Sequence, residues 1–219
     1  MLLELKSQLA AAGFVLLNSY RPGADVVDVA EELGETLTPW EGGLVQTLSP
    51  RAQGDPNTYS GNFGLGAFPF HTDLAHWRIP PRYLVLRCVT GYADVPTSLV
   101  DGNSLVEALS RSVLARAIFK PRRPRDGAYA LLRLLEDTAD GRHLLRWDEL
   151  FLQPASPVGG KANDLVREWL SDCQPMSVAL AQPDDTLIID NWRMLHARSP
   201  VLAGREDRAI QRVYLRGLN

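Results

Sequence analysis

The order of strand-like and helix-like segments is the feature that most restricts the fold of this chain. Helical spacing is confined to residues 2–12 and 23–35 and to two later stretches, 103–120 and 163–173. Short β-strands are predicted for most of the other apolar or alternating segments, among them RYLVLRCV (82–89), TSLVDG (97–102), HLLRWDELFLQP (143–154), DTLIIDNW (185–192) and AIQRVYLRG (209–217). Because strands and helices do not alternate regularly, a doubly wound parallel sheet is disfavoured. We predict a mostly β protein with flanking helices and a jelly-roll core, that is, a double-stranded β-helix.

Length and charge exclude several classes of protein. The 219 residues are enough for one domain with a sizeable core and few for two, so we predict a single domain over residues 1–219. A net charge of -3 argues against nucleic-acid binding. No apolar run is long enough to span a membrane, and Glu4 and Lys6 interrupt the only segment that resembles a signal peptide. Because Cys88 and Cys173 are too few for a disulfide framework, the cytoplasm is the expected compartment.

Two irregular segments stand out between the predicted strands. Residues 51–66, RAQGDPNTYSGNFGLG, contain four glycines and a proline and predict a long loop, which in a compact domain is often functional. The basic run KPRRPR at 120–125 is interpreted as a solvated, proline-stiffened loop rather than a nucleic-acid patch.

The triplet His71-Thr72-Asp73 is a candidate metal site. On an extended segment residues i and i+2 point to the same side, so His71 and Asp73 can reach one ion of Fe(II), Mn(II) or Zn(II). The triplet alone is equally compatible with an ordinary turn. A third ligand is available in His196, which follows a strongly apolar strand and lies just past its end. Together the three would form a facial triad that leaves metal positions open, as an oxygen-activating metal requires.

The last predicted strand carries two arginines on one side. Arg208, Ile210, Arg212 and Tyr214 alternate with the residues of the other side. If this side faces the interior, the guanidinium groups need partners, and a carboxylate bound in bidentate fashion is the partner that arginine suits best. An edge strand with its arginines in solvent is the alternative, and the strand alone does not decide between them.

Three motifs in this order and spacing resemble a known family: FHTD (70–73), IDNWRMLHARSP (189–200) and DRAIQRVYLR (207–216). They resemble the Fe(II)- and 2-oxoglutarate-dependent dioxygenases, in particular the taurine dioxygenase and clavaminate synthase-like superfamily. HTDLAHWRIPPRYLVLRC (71–88) is similar to the clavaminate synthase and asparagine oxygenase branch. The motifs cover about two thirds of the chain, and jointly they are more specific than each is alone.

The resemblance implies a role for each matched position. His71, Asp73 and His196 would hold Fe(II), and Arg208 would bind the distal carboxylate of the cosubstrate 2-oxoglutarate. Thr97 matches a threonine whose hydroxyl adds a contact to that cosubstrate. The implied reaction consumes O2 and 2-oxoglutarate, releases succinate and CO2, and most often hydroxylates the substrate.

The resemblance also implies a small-molecule substrate. Arg212 matches a position that contacts an anionic group of the substrate, so an amino-acid-like molecule or related metabolite is expected. Tyr59, Ser60 and Asn62 in the long loop are further candidate substrate contacts. One departure concerns Asp184, which stands where the family usually has glycine, although aspartate tolerates a left-handed turn better than most residues.

Two other functions use the same residues. A zinc hydrolase would hold a metal-bound water on the three ligands, but it would need a general base and would leave Arg208 without a role. A cupin-like binding protein could retain the metal site without turnover. The oligomeric state is not predicted by the sequence.

Overall fold

A computed structural model describes residues 2–39, 43–124, 127–138 and 141–219. Its helices are α1 (Leu2–Ala12), α2 (Val26–Leu33), α3 (Tyr59–Phe63), α4 (Gly102–Leu109), α5 (Arg111–Arg116) and α6 (Pro157–Asp172). Its first strands are β1 (Phe14–Leu17), β2 (Gly34–Leu37), β3 (Gln46–Leu48), β4 (Tyr83–Thr90), β5 (Thr97–Asp101), β6 (Ile118–Pro121) and β7 (Leu132–Arg133). The later strands are β8 (Leu135–Asp137), β9 (His143–Leu145), β10 (Leu152–Pro154), β11 (Met176–Val178), β12 (Thr186–Asp190), β13 (Met194–Arg198) and β14 (Ala209–Leu218). The predicted mostly β architecture with flanking helices is confirmed.

Two antiparallel sheets build the centre of the molecule. The main sheet has the order β1-β12-β4-β14-β2, and β3 also pairs with β14. The second sheet has the order β11-β5-β13, and a bridge between His71 and His196 extends it by one segment. Apolar side chains of both sheets meet in one buried cluster, including Leu84 and Ile189 from the main sheet and Leu99 and Met194 from the second.

Helices α1 and α2 cover the opposite face of the main sheet. Leu9 and Val29 of these helices pack against Val85, Ile188 and Val213. The central strands are therefore buried on both faces, which explains why β4 and β12 are apolar runs rather than alternating segments. Among the described residues, none of the helices is both long enough and apolar enough to cross a bilayer.

Two helix predictions need correction. Residues 103–120 form α4, α5 and the strand β6 instead of one helix, because Ser110 adopts a left-handed conformation (φ 72°) and β6 pairs with β10 and β7. The helix predicted at 163–173 begins earlier, at Pro157, where the side chain of Ser156 accepts a hydrogen bond from the Gly159 amide. The predicted loop at 51–66 contains the short helix α3.

Candidate metal centre and its cavity

Three potential metal ligands meet between the two sheets. Asp73 Oδ1 lies 3.5 Å from His71 Nε2 and 3.6 Å from His196 Nε2. All three side chains are buried, and their ligand atoms lie within 4.8 Å of one another. Two atoms that are each about 2.1 Å from a shared ion can be up to about 4.2 Å apart, so the spacing from Asp73 to each histidine suits one ion. The sequence triplet and the distant histidine thus form one cluster.

Backbone hydrogen bonds fix the ligand segment residue by residue. His71 and His196 exchange amide-to-carbonyl bonds of 3.0 and 2.9 Å. The Thr72 amide donates to the carbonyl of Trp147 at 2.8 Å. The Asp73 amide donates to Oδ1 of Asn191 at 2.7 Å, and the chain then turns through Leu74, which has a φ of 54°. The ligand geometry is therefore set by three separate parts of the fold.

The side chain of Asn191 binds both the backbone amide and the backbone carbonyl of Asp73. Its completely buried side chain accepts from the Asp73 amide and donates to the carbonyls of Asp73 at 3.0 Å and Pro81 at 2.9 Å. Asn191 is a positioning residue, because it contacts the backbone of a ligand and not the metal site itself.

We expect Asn191→Asp to weaken Mn(II) or Fe(II) binding by about 10- to 100-fold, as the loss of an outer-shell contact does in other metal sites. The substituted carboxylate would face two carbonyl oxygens without a donor. Metal affinity measured by equilibrium dialysis, with circular dichroism to verify folding, tests this. The matched control is Asn163→Asp on α6, far from the metal ligands in sequence, where the half-buried side chain bonds its neighbour Asp164. Equal metal affinity in a folded Asn191→Asp protein would contradict the assigned role.

The two oxygens of Asp73 have different partners. Oδ1 faces the histidines, whereas Oδ2 accepts from Arg212 Nη1 at 2.7 Å and from the Tyr214 hydroxyl at 3.1 Å. Burial alone would raise the pKa of Asp73, but the Arg212 guanidinium and the two histidines hold this pKa well below its usual value. The carboxylate is therefore ionised, with one oxygen free for a cation.

The pKa values of the two histidines shift in opposite directions. Burial lowers the pKa of both, but contact with Asp73 outweighs burial at His71 and raises its pKa overall. At His196 burial together with the charge of His71 prevails, so its pKa is lowered. His71 Nδ1 lies 2.9 Å from the carbonyl of Pro69, which favours a proton on Nδ1 and leaves Nε2 as the ligand atom.

A cavity of about 650 Å³ opens beside the three ligands and contains the predicted cosubstrate residues. Arg208 is buried, and burial lowers its pKa. Its Nε has no hydrogen-bond partner, and no carboxylate of the described residues pairs with it. Thr97, also buried, lines the same cavity. A buried guanidinium without a protein partner is the arrangement that a bound anion would complete.

The predicted substrate residues do not all face the cavity. Tyr59 stacks on His71 with ring centroids 4.2 Å apart, and Ser60 is a lining residue. Asn62 is not a lining residue, because its amide donates to the carbonyls of Pro56 and Thr58 within the loop. The predicted substrate contact of Asn62 is therefore not supported by its position.

Arg212 lines the cavity but is already engaged. Besides its bond to Asp73, its Nε and Nη2 donate to Oε1 of Gln46. Three of the five N–H groups of the guanidinium are thus used, and two remain for another acceptor.

Arg198 is a cavity residue that the sequence motifs did not single out. Its Nη2 donates to the carbonyls of Gly64 at 2.8 Å and Gly66 at 2.7 Å, and its guanidinium carbon lies 3.6 Å from the ring centre of Phe68. Burial and the nearby charge of Arg208 lower its pKa to about 10. Its position two residues after His196 on β13, which places both side chains on one face, was the available clue.

Asp148 was also missed. It is a buried cavity residue whose Oδ1 accepts from the amides of Leu150 and Phe151, and burial raises its pKa. The segment around it was predicted to be a strand, whereas the structure forms a turn there.

A family model and a curated relative match this chain. The family described as taurine catabolism dioxygenase TauD, TfdA family matches residues 2–214. Clavaminate synthase 2 of Streptomyces clavuligerus is 29% identical over 162 residues, which are 67% of this chain and 49% of that protein. The chain therefore spans about half the length of this relative.

Several solved structures share the fold at low sequence identity. Asparagine oxygenase in complex with Fe(II), 2S,3S-3-hydroxyasparagine and succinate superposes with a TM-score of 0.72 at 18% identity, over 98% of this chain and 78% of that one. PvcB, an Fe, alpha-ketoglutarate dependent oxygenase from an isonitrile synthetic pathway, gives 0.71 at 20% identity, over 98% and 80%. The non-heme iron oxygenase OrfP in complex with Fe and alpha-ketoglutaric acid gives 0.69 at 20% identity, over 97% and 78%.

Proposed function

The chain belongs to the taurine catabolism dioxygenase TauD, TfdA family, and we propose that it is an Fe(II)- and 2-oxoglutarate-dependent dioxygenase that hydroxylates a small molecule. One atom of O2 would enter the substrate and the other would enter succinate, with CO2 released from 2-oxoglutarate. The observation that carries the proposal is one cavity lined by both the His71, Asp73 and His196 cluster and the unpaired, buried Arg208. Neither feature alone would distinguish an oxygenase from another metalloprotein.

We propose that the two sheets form a double-stranded β-helix, or jelly roll, within one domain over residues 1–219. Their shared apolar cluster supports this assignment, as does the likeness to solved structures over nearly the whole chain. In this arrangement His196 comes from β13 of the second sheet and Arg208 directly precedes β14 of the main sheet, so the cavity between the sheets would hold both metal and cosubstrate.

His71, Asp73 and His196 would hold the iron. Fe(II), with 2-oxoglutarate and O2 bound, supplies the oxidising chemistry. The protein keeps Asp73 ionised and reserves its Oδ2 for Arg212 and Tyr214, so only Oδ1 is available to the metal. The backbone bonds of the ligand segment limit movement of that oxygen relative to the two imidazoles.

Arg208 would bind the distal carboxylate of 2-oxoglutarate, and Thr97 would add a hydroxyl contact. The burial of Arg208 and its lack of a protein partner support this role. The alternatives are weaker: neither a zinc hydrolase nor a cupin-like binding protein gives Arg208 a function, and the relatives described above are oxygenases.

The substrate would be an amino-acid-like molecule with an anionic group. The asparagine oxygenase and OrfP structures contain a hydroxylated asparagine and a hydroxylated arginine, which supports this class. The two unused N–H groups of Arg212 would bind the anion while the others hold Asp73. Tyr59 and Ser60 would line the substrate side of the cavity.

Anaerobic reconstitution tests the proposal. With Fe(II) and 2-oxoglutarate we expect a visible metal-to-ligand charge-transfer band, followed by succinate release once O2 is admitted with an amino-acid panel. In Arg208→Gln the concentration of 2-oxoglutarate that gives half of the maximal band intensity should rise by more than about a hundredfold. The reason is that the buried charge pair between Arg208 and the distal carboxylate of 2-oxoglutarate is lost. The exposed Arg205→Gln, which removes a surface pair with Asp94, is the control. If the charge-transfer band is absent and the zinc-loaded protein hydrolyses a test ester, the proposed oxygenase function is wrong.

A further inference from the structure

The cavity is positively charged although the chain as a whole is acidic. Its charged lining residues are six arginines and three aspartates: Arg51, Arg122, Arg123, Arg198, Arg208, Arg212, Asp55, Asp73 and Asp148. The whole chain carries a net charge of -3. Positive charge is thus concentrated where a substrate enters, and such concentration favours anionic ligands.

The three inner arginines already have assigned partners. Arg212 pairs with Asp73, and Arg198 is bound to the carbonyls of Gly64 and Gly66. Arg208 is reserved for 2-oxoglutarate in the function proposed above. A substrate with a single anionic group beside the metal would therefore leave the outer arginines without a role.

The outer arginines Arg51, Arg122 and Arg123 form what we call the arginine rim. Arg51 and Arg123 are exposed, and no rim arginine forms an ion pair with a carboxylate of the described chain. Arg122 is half-buried, with its guanidinium carbon 5.2 Å from the ring centre of Phe151. Asp55 is a carboxylate that lines the same cavity, and its Oδ1 accepts a hydrogen bond from the amide of Asn57.

The position of the rim corrects the interpretation of the basic run at 120–125. Within its described part, residues 120–124, Arg122 Nη2 lies 3.5 Å from the carbonyl of Pro56 in the long loop. Pro121, Arg122 and Arg123 line the cavity. This segment is therefore one wall of the cavity mouth, and not a loop that only contacts solvent.

We propose that the arginine rim binds a second oxyanion, a phosphate or a carboxylate, at the end of the substrate remote from the reacting C–H bond. This rests on the function proposed above and narrows its substrate to an extended molecule with an anionic far end. The cavity of about 650 Å³, which would also hold the metal and 2-oxoglutarate, lies within the range of pockets that bind drug-sized ligands. An oxyanion would also offset the like charges that Arg51, Arg122 and Arg123 bring to one cavity.

Binding of simple oxyanions tests the rim without requiring turnover. Phenyl phosphate and tricarballylate are titrated by calorimetry into the full chain, first without metal and then loaded anaerobically with Fe(II) and 2-oxoglutarate. We expect Arg51→Gln/Arg123→Gln to raise the Kd of the preferred probe about five- to tenfold in both forms, and the wild-type Kd to rise with salt. The better-bound probe identifies the oxyanion as phosphate or carboxylate.

A control variant with the same change of charge and measurements of KM complete the test of the rim. Lys6→Gln/Lys161→Gln removes the same charge from helices outside the cavity and should leave the Kd unchanged. Failure of both probes to bind the wild-type protein, or equal binding by the rim variant, overturns the proposal. In succinate assays with serine and O-phosphoserine, the rim variant should raise KM only for the phosphorylated compound. The oxygenase function is judged separately by the charge-transfer band with Fe(II) and 2-oxoglutarate, so a failure of that function and a failure of the rim give different results.

Discussion

Replacing Asp73 by alanine is expected to weaken Fe(II) binding by more than about a hundredfold and to destabilise the metal-free fold. In the proposed site the metal would lose the carboxylate among its three described ligands. In addition, Arg212 keeps its largely buried guanidinium but loses the 2.7 Å bond to Oδ2. Breaking a buried ion pair from one side lowers the free energy of unfolding by about 3 kcal/mol. Metal affinity and urea denaturation therefore report two different consequences of one substitution.

A double variant separates these consequences. Asp73→Ala/Arg212→Met removes the uncompensated cation together with its partner, so we expect it to recover part of the stability but none of the metal affinity. The matched control is Asp94→Ala, which breaks an exposed 3.1 Å pair with Arg205 and should change stability by less than about 1 kcal/mol. Wild-type Fe(II) affinity in a folded Asp73→Ala protein would remove Asp73 from the metal site.

The family and the main strands could be predicted from the sequence because both rest on local patterns. The spacing of His71 and Asp73 follows from the period of an extended chain. His196 was predicted just past the end of an apolar strand, whereas in the structure it lies within the next strand, β13, and pairs with Leu99 of β5. The family match over residues 2–214 confirms the resemblance inferred from these motifs. The roles of Arg208 and Thr97 remain predictions, supported by their place in the cavity.

The residues that support the ligands could not be found in the same way. Asn191 and Arg198 act on backbone carbonyls that are distant in sequence, those of Asp73 and Pro81 for the first and of Gly64 and Gly66 for the second. Any polar side chain can bond a carbonyl, so residue type carries no sign of such a contact. Only the folded arrangement brings donor and acceptor together.

Arg87 shows the same limit for stability. In the sequence it interrupts an apolar strand, where a solvent-facing position would be the usual expectation. In the structure it is 2% exposed, with Nη2 2.6 Å from Oδ1 of Asp184. Its guanidinium also donates to the carbonyls of Tyr20, Arg21, Ala24 and Asp184 and to the hydroxyl of Thr186. The loop before α2 is thereby joined to the turn before β12.

The Arg87 contacts also explain how Asp184 is tolerated where the family usually has glycine. Asp184 is left-handed, with a φ of 70°, and its other carboxylate oxygen accepts from the amide of Gly23 at 3.0 Å. A non-glycine residue in this conformation is strained by about 1 kcal/mol or more. The ion pair and the backbone contact offset that strain, so the aspartate and the arginine depend on each other.

Arg87→Met is therefore expected to lower the free energy of unfolding by about 3–5 kcal/mol, measured by urea denaturation of the metal-free protein. Several partly buried backbone carbonyls and Oδ1 of Asp184 would lose their donor at once. Asp184→Gly in the Arg87→Met background should restore about 1 kcal/mol or more, because glycine removes both the strain and the unpaired charge. Arg205→Met, at an exposed pair, is the control and should cost less than about 1 kcal/mol. A loss below 1 kcal/mol in Arg87→Met would show that the turn before β12, and with it the strand leading to Asn191, is held by other contacts.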